Sequence, residues 1–238
     1  MFALRSGDML VGRTLRCNQP SEAAGIPDVG GYMTPDLERL MALRPDLVLS
    51  DRAGIRKEMV ARLAALGIPV YVDDSRSLDA IGQLMATLGI LLSREAEAAA
   101  LLAEFDQRRS RIRDRVGKSR RPSVLFSVGS RPLVAAGGKS FIGSLIREAG
   151  ADNIAEGESL PFPRFSVEEV IRKDPDYIMV LNKECQDAEC LELWRRYPEL
   201  KAVLNGRVFP MDADLLARPS PRIVDGLEQM AAIFHPNP

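Results

Sequence analysis

The chain has 238 residues, 46% of them hydrophobic and 27% charged, enough for one large domain or two lobes of about 100 residues each. A formal net charge of -1 calls for neither nucleic acid nor an anionic membrane, and no apolar run approaches the length of a membrane-spanning helix. A single histidine, His235 in the terminal HPNP, leaves too few ligands for a zinc or manganese carrier and no general base for a Ser-His-Asp or Cys-His enzyme, so the chain reads as non-enzymatic.

The opening residues, MFALRSGDMLVG, have none of the charged start, apolar run and small-residue cleavage site of a signal peptide, and no such segment is expected within this chain. Asp36 suits a helix N-cap, with Leu37, Leu40 and Met41 at helical spacing behind it. Pro45 ends that helix, because proline disfavours the helical conformation in the residue before it, and LVLS follows as a short buried strand. The helix IRKEMVARLAALG closes at Gly67, where a left-handed residue is wanted, and leads into the strand IPVYVDD. SLDAIGQLMATLGILL is helical in turn. Beyond Ser93, a candidate cap, a longer helix runs to Gly117. Glu95 and Glu97 lie in its first turn and Arg111, Arg113 and Arg115 in its last, the order that complements the helix dipole. Ala98, Leu101, Leu102, Phe105, Ile112 and Val116 form its apolar stripe. At 1.5 Å per residue, Ser93 to Gly117 covers roughly 36 Å, long enough to bridge two lobes. The basic run from Arg108 to Arg121 is interrupted by Asp114 and lacks interleaved aromatics, so it reads as a solvated helix end rather than a phosphate site.

After Arg121 come the strand SVLFSV, the turn-rich GSRPLVAAGGKS and the helix FIGSLIREAG. GGKS is not a phosphate loop, since Leu133 stands where the first glycine should be; its small residues are expected to admit a ligand or a lobe edge. SVEEVIRKDPDYIMVLN then repeats the segment at Asp36 with an offset of 130 residues. Ser166 caps as Asp36 does, and with Glu169 makes a capping box; Val167, Val170 and Ile171 supply the apolar face; Pro175 stops the helix as Pro45 does. Cys185 and Cys190, in KECQDAEC, are either a small disulfide or two free thiols, and Cys17 has no evident partner. WRRYPELKAVLNG reads as a helix closed by Gly206, followed by the strand RVFPMDAD. Helix–strand–helix–strand twice over predicts an α/β chain of two lobes, each a mostly parallel sheet with flanking helices, joined by one long helix. The expected boundaries are 1–92, 93–119 and 120–238.

The blocks GDMLVGRT, CNQPSEAAGIPDVGGY, DLERLMALRPDLVLS, LAALGIPVYVDD, PFPRFSVEEVI and ARPSPRIVDGLEQM, in this order, resemble the periplasmic binding proteins whose lobes are joined by one long helix. That group carries ferric siderophores, haem, cobalamin and some metals, and the cobalamin-binding branch looks most similar. The resemblance implies capture of a corrinoid-like ligand in an interlobe cleft and delivery to the permease subunits of an ABC importer. It also implies a monomer in a periplasmic or surface-anchored, extracytoplasmic setting. A siderophore or haem carrier on the same fold, and a cytosolic corrinoid-binding module without a transporter, are the alternatives. Family members begin with a strand and most of a helix that have no counterpart here, so the first lobe is expected to lack its first strand and expose a sheet edge.

Ligands of open α/β sheets sit beyond the carboxyl ends of the strands. In the first half that rule points to Cys17, Asn18, Gln19, Tyr32, Asp51 and Arg52. In the second it points to Ser130, Arg131, Phe162, Asp214, Arg218 and Arg222. The resemblance implies ligand contacts at Gln19, Tyr32, Asp51, Phe162, Asp214 and Leu215. Aromatics common in the family are replaced at Gln19 and missing near Asp51 and Leu215. A corrin ring seeks aromatic faces, so this exchange favours a more polar ligand or a corrinoid held through its amide arms. Each residue also has a plainer use: Tyr32 wedging a glycine turn, Phe162 anchoring a core, Asp214 and Arg218 pairing with each other. Glu38 and Glu168 hold the same place in the two copies, where a first-turn carboxylate is favoured for helical reasons alone. The resemblance implies that they dock the two lobes onto the permease.

Overall fold

A computed structural model describes residues 1–117, 119–182, 187–216 and 218–236. The chain divides into two units: Met1–Ser75 with Gly82–Leu102, and Arg76–Ile81 with Ala103–Pro238.

The first unit opens with short 3-10 turns at Phe2–Leu4, Gly7–Met9 and Ser21–Gly25. Next come α1 (Leu37–Ala42), β1 (Val48–Asp51), α2 (Lys57–Ala65), β2 (Val70–Asp73), α3 (Leu78–Leu91), whose residues up to Ile81 belong to the second unit, and α4 (Glu95–Val116), whose residues from Ala103 onward do too. Strands β1 and β2 pair in parallel, from Val48 opposite Val70 to Asp51 opposite Asp73. Ahead of them, the GRT segment makes only a single parallel bridge, Arg13 to Asp28. Val29, Leu40, Leu63 and Ile68 form the core under the two strands. Leu4, Leu92 and Ala98 form a second cluster, where Gly89 of α3 leaves room for the Ala98 methyl of α4.

Ser93 does not cap α4. It lies in the left-handed region, at φ 54°, and ends α3: its N–H reaches Ile90 O at 3.2 Å and Arg94 N–H reaches Gly89 O at 2.7 Å. This is the double closure that glycine usually makes at a helix end, and Gly67 and Gly206 make it in the same way. The sharp reversal from α3 into α4 forces it on a serine.

The second unit holds β3 (Ser123–Ser130), β4 (Leu133–Ala135), α5 (Phe141–Glu148), β5 (Asp152–Asn153), α6 (Val167–Lys173), β6 (Tyr177–Asn182), α7 (Asp187–Arg195), α8 (Lys201–Leu204), β7 (Val208–Asp212), α9 (Ala213–Leu216) and α10 (Ile223–Phe234). Its sheet runs β4-β3-β6-β7, with β5 also on β3. All pairings are parallel except β3–β4, a hairpin where the sequence suggested only turns. Pro210 is tolerated in β7 because that strand is an edge. Leu125, Ile178, Val170, Trp194 and Ala202 are fully or nearly fully buried at the centre of this core. The helix expected over WRRYPELKAVLNG is two helices. Helix α7 stops before Pro198, and α8 starts afresh at Lys201, whose N–H donates to Asp174 Oδ1 at 2.9 Å.

The basic run is not simply solvated. Arg109, its side chain 7% exposed, donates to both Glu148 oxygens at 2.6 and 2.9 Å and pairs with Asp79 at 2.8 Å. Arg108 ties α4 to α10 through Asp225 at 2.7 Å and through Glu228. The buried stripe of α4 thus contains an arginine that hydrophobic periodicity passes over. His235 is anchored: its Nε2 lies 3.1 Å from Gly150 O, and its carbonyl accepts from Arg115 at 2.7 Å. Cys185 and the side chain of Cys190 lie outside the described residues.

Candidate functional site

In the first unit, pairing of the chain's opening segment sets the loops. Leu15 N–H donates to Gly30 O at 2.9 Å, which brings the Cys17–Asn18–Gln19 loop beside the Gly30–Gly31 turn. Gly30 sits at φ 95°, where a side chain would be strained. Tyr32 follows directly. Its phenol donates to the Asp51 carboxylate, with Oδ1 and Oδ2 at 2.5 and 2.7 Å. Asp51 Oδ1 also receives the Ala53 and Gly54 N–H groups at 2.8 and 2.9 Å, so the acceptor is itself fixed at the end of β1. Desolvation, then the Asp51 hydrogen bond and charge, hold the Tyr32 phenol above its usual range; it stays neutral. Asn18 and Gln19 are exposed, and Cys17 is exposed with a free thiol 3.4 Å from Thr14 Oγ1. Arg52 is exposed and pairs with Asp74 at 3.2 Å.

In the second unit, residues 161–165 run along β4. Ala135 N–H donates to Pro163 O at 3.0 Å, Gly137 N–H to Pro161 O at 2.9 Å, and Phe165 N–H to Leu133 O at 3.0 Å. Phe165 enters the core, which leaves Phe162 on the outer face, 49% exposed beside Leu160 at 60%. Phe162 is therefore no core anchor. Leu160 was missed in the sequence because nothing in its spacing distinguishes it from a core leucine. The small residues of GGKS serve the chain itself: a Cβ at Gly137 would lie 2.6 Å from Leu160 O, and one at Gly138 would meet Glu156 O. They admit this segment's backbone, where the sequence suggested room for a ligand.

Arg131 is exposed at the hairpin tip and Arg222 at the start of α10. Asp214 and Arg218 pair at 2.6 Å, one turn apart. Leu215 faces inward at 8% exposure, with its Cβ near Gly226 of α10, because Ala213, Leu215 and Leu216 together form the buried side of the short α9. Glu38 and Glu168 each occupy the second position of a helix, α1 and α6, and both are exposed. The Glu168 backbone N–H and the Ser166 hydroxyl hold its carboxyl below the usual range. Among the described residues, no cluster of His, Cys, Asp and Glu is arranged to hold a metal ion, and no helix is long and apolar enough to cross a membrane.

This arrangement has counterparts among known proteins. A family model described as "Periplasmic binding protein" matches residues 1–215. A vitamin B12-binding protein of Yersinia pestis is 28% identical over 96% of this chain and 80% of its own length. One from Vibrio parahaemolyticus is 23% identical over 98% of this chain and 84% of its own. Among solved structures, the periplasmic vitamin B12-binding protein of Vibrio cholerae superposes with a TM-score of 0.86 at 25% identity, covering 98% of this chain and 91% of that one. A periplasmic haem-binding protein from Roseiflexus superposes with a TM-score of 0.88 at 25% identity, covering 98% and 92%.

Proposed function

We propose a ligand for this chain, which belongs to the periplasmic binding protein family and so acts as the solute-binding partner of an ABC importer: a corrinoid. The observation that carries this reading is that each unit, taken by itself, presents an exposed aromatic. Tyr32 is fixed at the end of β1, and Phe162 is held half-exposed by the main chain of residues 161–165. A corrin needs broad apolar contact, and an aromatic face presented by a loop supplies part of it within each unit. Asn18, Gln19, Asp214, Arg131 and Arg218 offer hydrogen bonds suited to the ring's amide arms; Leu215, being buried, acts only by supporting Asp214. The vitamin B12-binding relatives support this choice.

A ferric siderophore or haem is the second reading, favoured by the exposed Arg52 and Arg131, which would suit an anionic chelate, and by the haem-binding structural neighbours. Calorimetric titration with cyanocobalamin, haemin and a ferric catecholate separates the two. Saturable one-to-one binding of cyanocobalamin alone is expected; preference for either iron compound overturns the corrinoid.

Glu38 and Glu168 are proposed to dock the monomeric carrier onto the permease outside the cytoplasm. Their equal places in duplicated helices suit a two-fold symmetric transporter. Reversing both charges is expected to abolish uptake with ligand affinity unchanged. Unaltered uptake removes the docking role, and a cytoplasmic location of the native protein removes the transporter.

A further inference from the structure

We propose that Asp51 and Gly54 are positioning residues: together they lock the Tyr32 ring into one orientation before any ligand arrives. The inference rests on the reading that Tyr32 meets the ligand, and it changes the role of Asp51 from ligand contact to support.

The geometry constrains Tyr32 from two sides. At its tip, the phenol is spent on a carboxylate that two backbone N–H groups already hold, so tip and acceptor are fixed to the same turn after β1. Against its flank lies Gly54. A Cβ built on Gly54 would come within 2.6 Å of one ring carbon, 3.0 Å of Cζ and 3.2 Å of another, so the ring rests on a backbone position that no larger residue can occupy unless the ring moves. Gly54 carries no left-handed φ, so the requirement is one of space and not of conformation. The turn of residues 51–54 therefore supplies both a hydrogen-bond acceptor for the ring's tip and a flat seat for its edge.

Two consequences follow for the ligand. An ordered ring offers its face without losing rotamer freedom on binding, which is how a site with few aromatics can keep its affinity. With its proton committed to Asp51, and its ionisation opposed by that same charge, Tyr32 contributes an apolar face and not a metal-ligating phenolate. The preset wall suits a broad organic ring rather than an iron centre seeking an axial oxygen.

The test uses the full chain with tyrosine labelled at 13Cζ, a carbon whose shift reports the hydrogen bond of its own hydroxyl. Tyr32→Phe assigns the signal. Without ligand, Asp51→Asn and Gly54→Ala are each expected to move that signal while the other tyrosines stay put; a signal unmoved by both variants overturns the proposal whatever the ligand proves to be. Cyanocobalamin titration supplies the second arm. Each variant is expected to weaken binding roughly tenfold in the native background and less than twofold once Tyr32 is alanine. Equal losses in both backgrounds would make Asp51 a direct contact and overturn the positioning role. Absence of cyanocobalamin binding by the native chain refutes the corrinoid reading alone, because the NMR arm still decides whether Tyr32 is held.

Discussion

The two copies of the repeated segment share a local fold and differ in how far it is buried. In both, a capped helix ends in a left-handed residue just before proline, Arg44 at φ 48° and Asp174 at φ 41°, and a strand follows. Proline keeps the preceding residue out of the right-handed helical region, and here the chain escapes to the left-handed one at both places. Beyond that the copies part. Strand β1 belongs to a two-stranded sheet and is only partly buried, whereas Ile178, Met179 and Val180 of β6 are nearly or fully excluded from solvent, between β3 and β7. Asp46 is exposed; its counterpart Asp176 accepts the Ser123 N–H at 2.9 Å and so joins the start of β3 to that of β6. The lesson is that a repeated sequence repeats its turns and caps, while the energetic weight of each position is set by what surrounds it.

That contrast can be broken or sharpened by experiment. Ile178→Ala is expected to cost about 3–4 kcal/mol in denaturant unfolding, and the matching Val48→Ala only about 1, because the first opens a cavity in a closed core. Equal losses would show that the two sheets bear equal load. Arg109→Ala should cost about 3 kcal/mol by leaving Glu148 without its partner, whereas the same change at exposed Arg113 should stay within about 0.5. Asp176→Ala should lower stability by about 1–2 kcal/mol and Asp46→Ala by almost nothing, read as the difference in urea midpoint.

The smallest effect concerns acid. The Arg108 hydrogen bond holds the Glu228 carboxyl below its usual range, and the Lys201 backbone N–H does the same for Asp174. Both folded values are depressed, so their contribution is present above the ordinary carboxylate range near pH 4 and is lost as pH falls through the lowered values. Glu228→Gln should therefore lower Tm slightly at neutral pH and flatten the loss below about pH 4. Both groups lie in the second unit, so its signals should report this acid-dependent loss.

Much of this was legible beforehand because it is local. Asp36 and Ser166 accept the N–H groups that a cap should, and Gly67 and Gly206 adopt the left-handed closure expected of them. Ser93 misled because a serine before an apolar run looks like a cap, and only the tightness of the α3–α4 reversal assigns it to the helix behind it. The candidate residues could be named from the sequence, but their contacts could not be read from it. Asp51 stands at the end of β1, yet nothing in the spacing of the candidates says that Tyr32 donates to Asp51, that Phe162 points outward, or that Leu215 points inward.

Sequence alone determined the duplicated helix–turn–strand unit, its caps and stops, and the family resemblance, since all of these depend on residues a few places apart. Tertiary structure decided which of two equivalent strands is buried, which arginine is desolvated against Glu148, and which loop residues face water. Those outcomes turn on burial and on partners brought together across 19 residues for Tyr32 and Asp51 and 39 for Arg109 and Glu148, distances that no local pattern encodes.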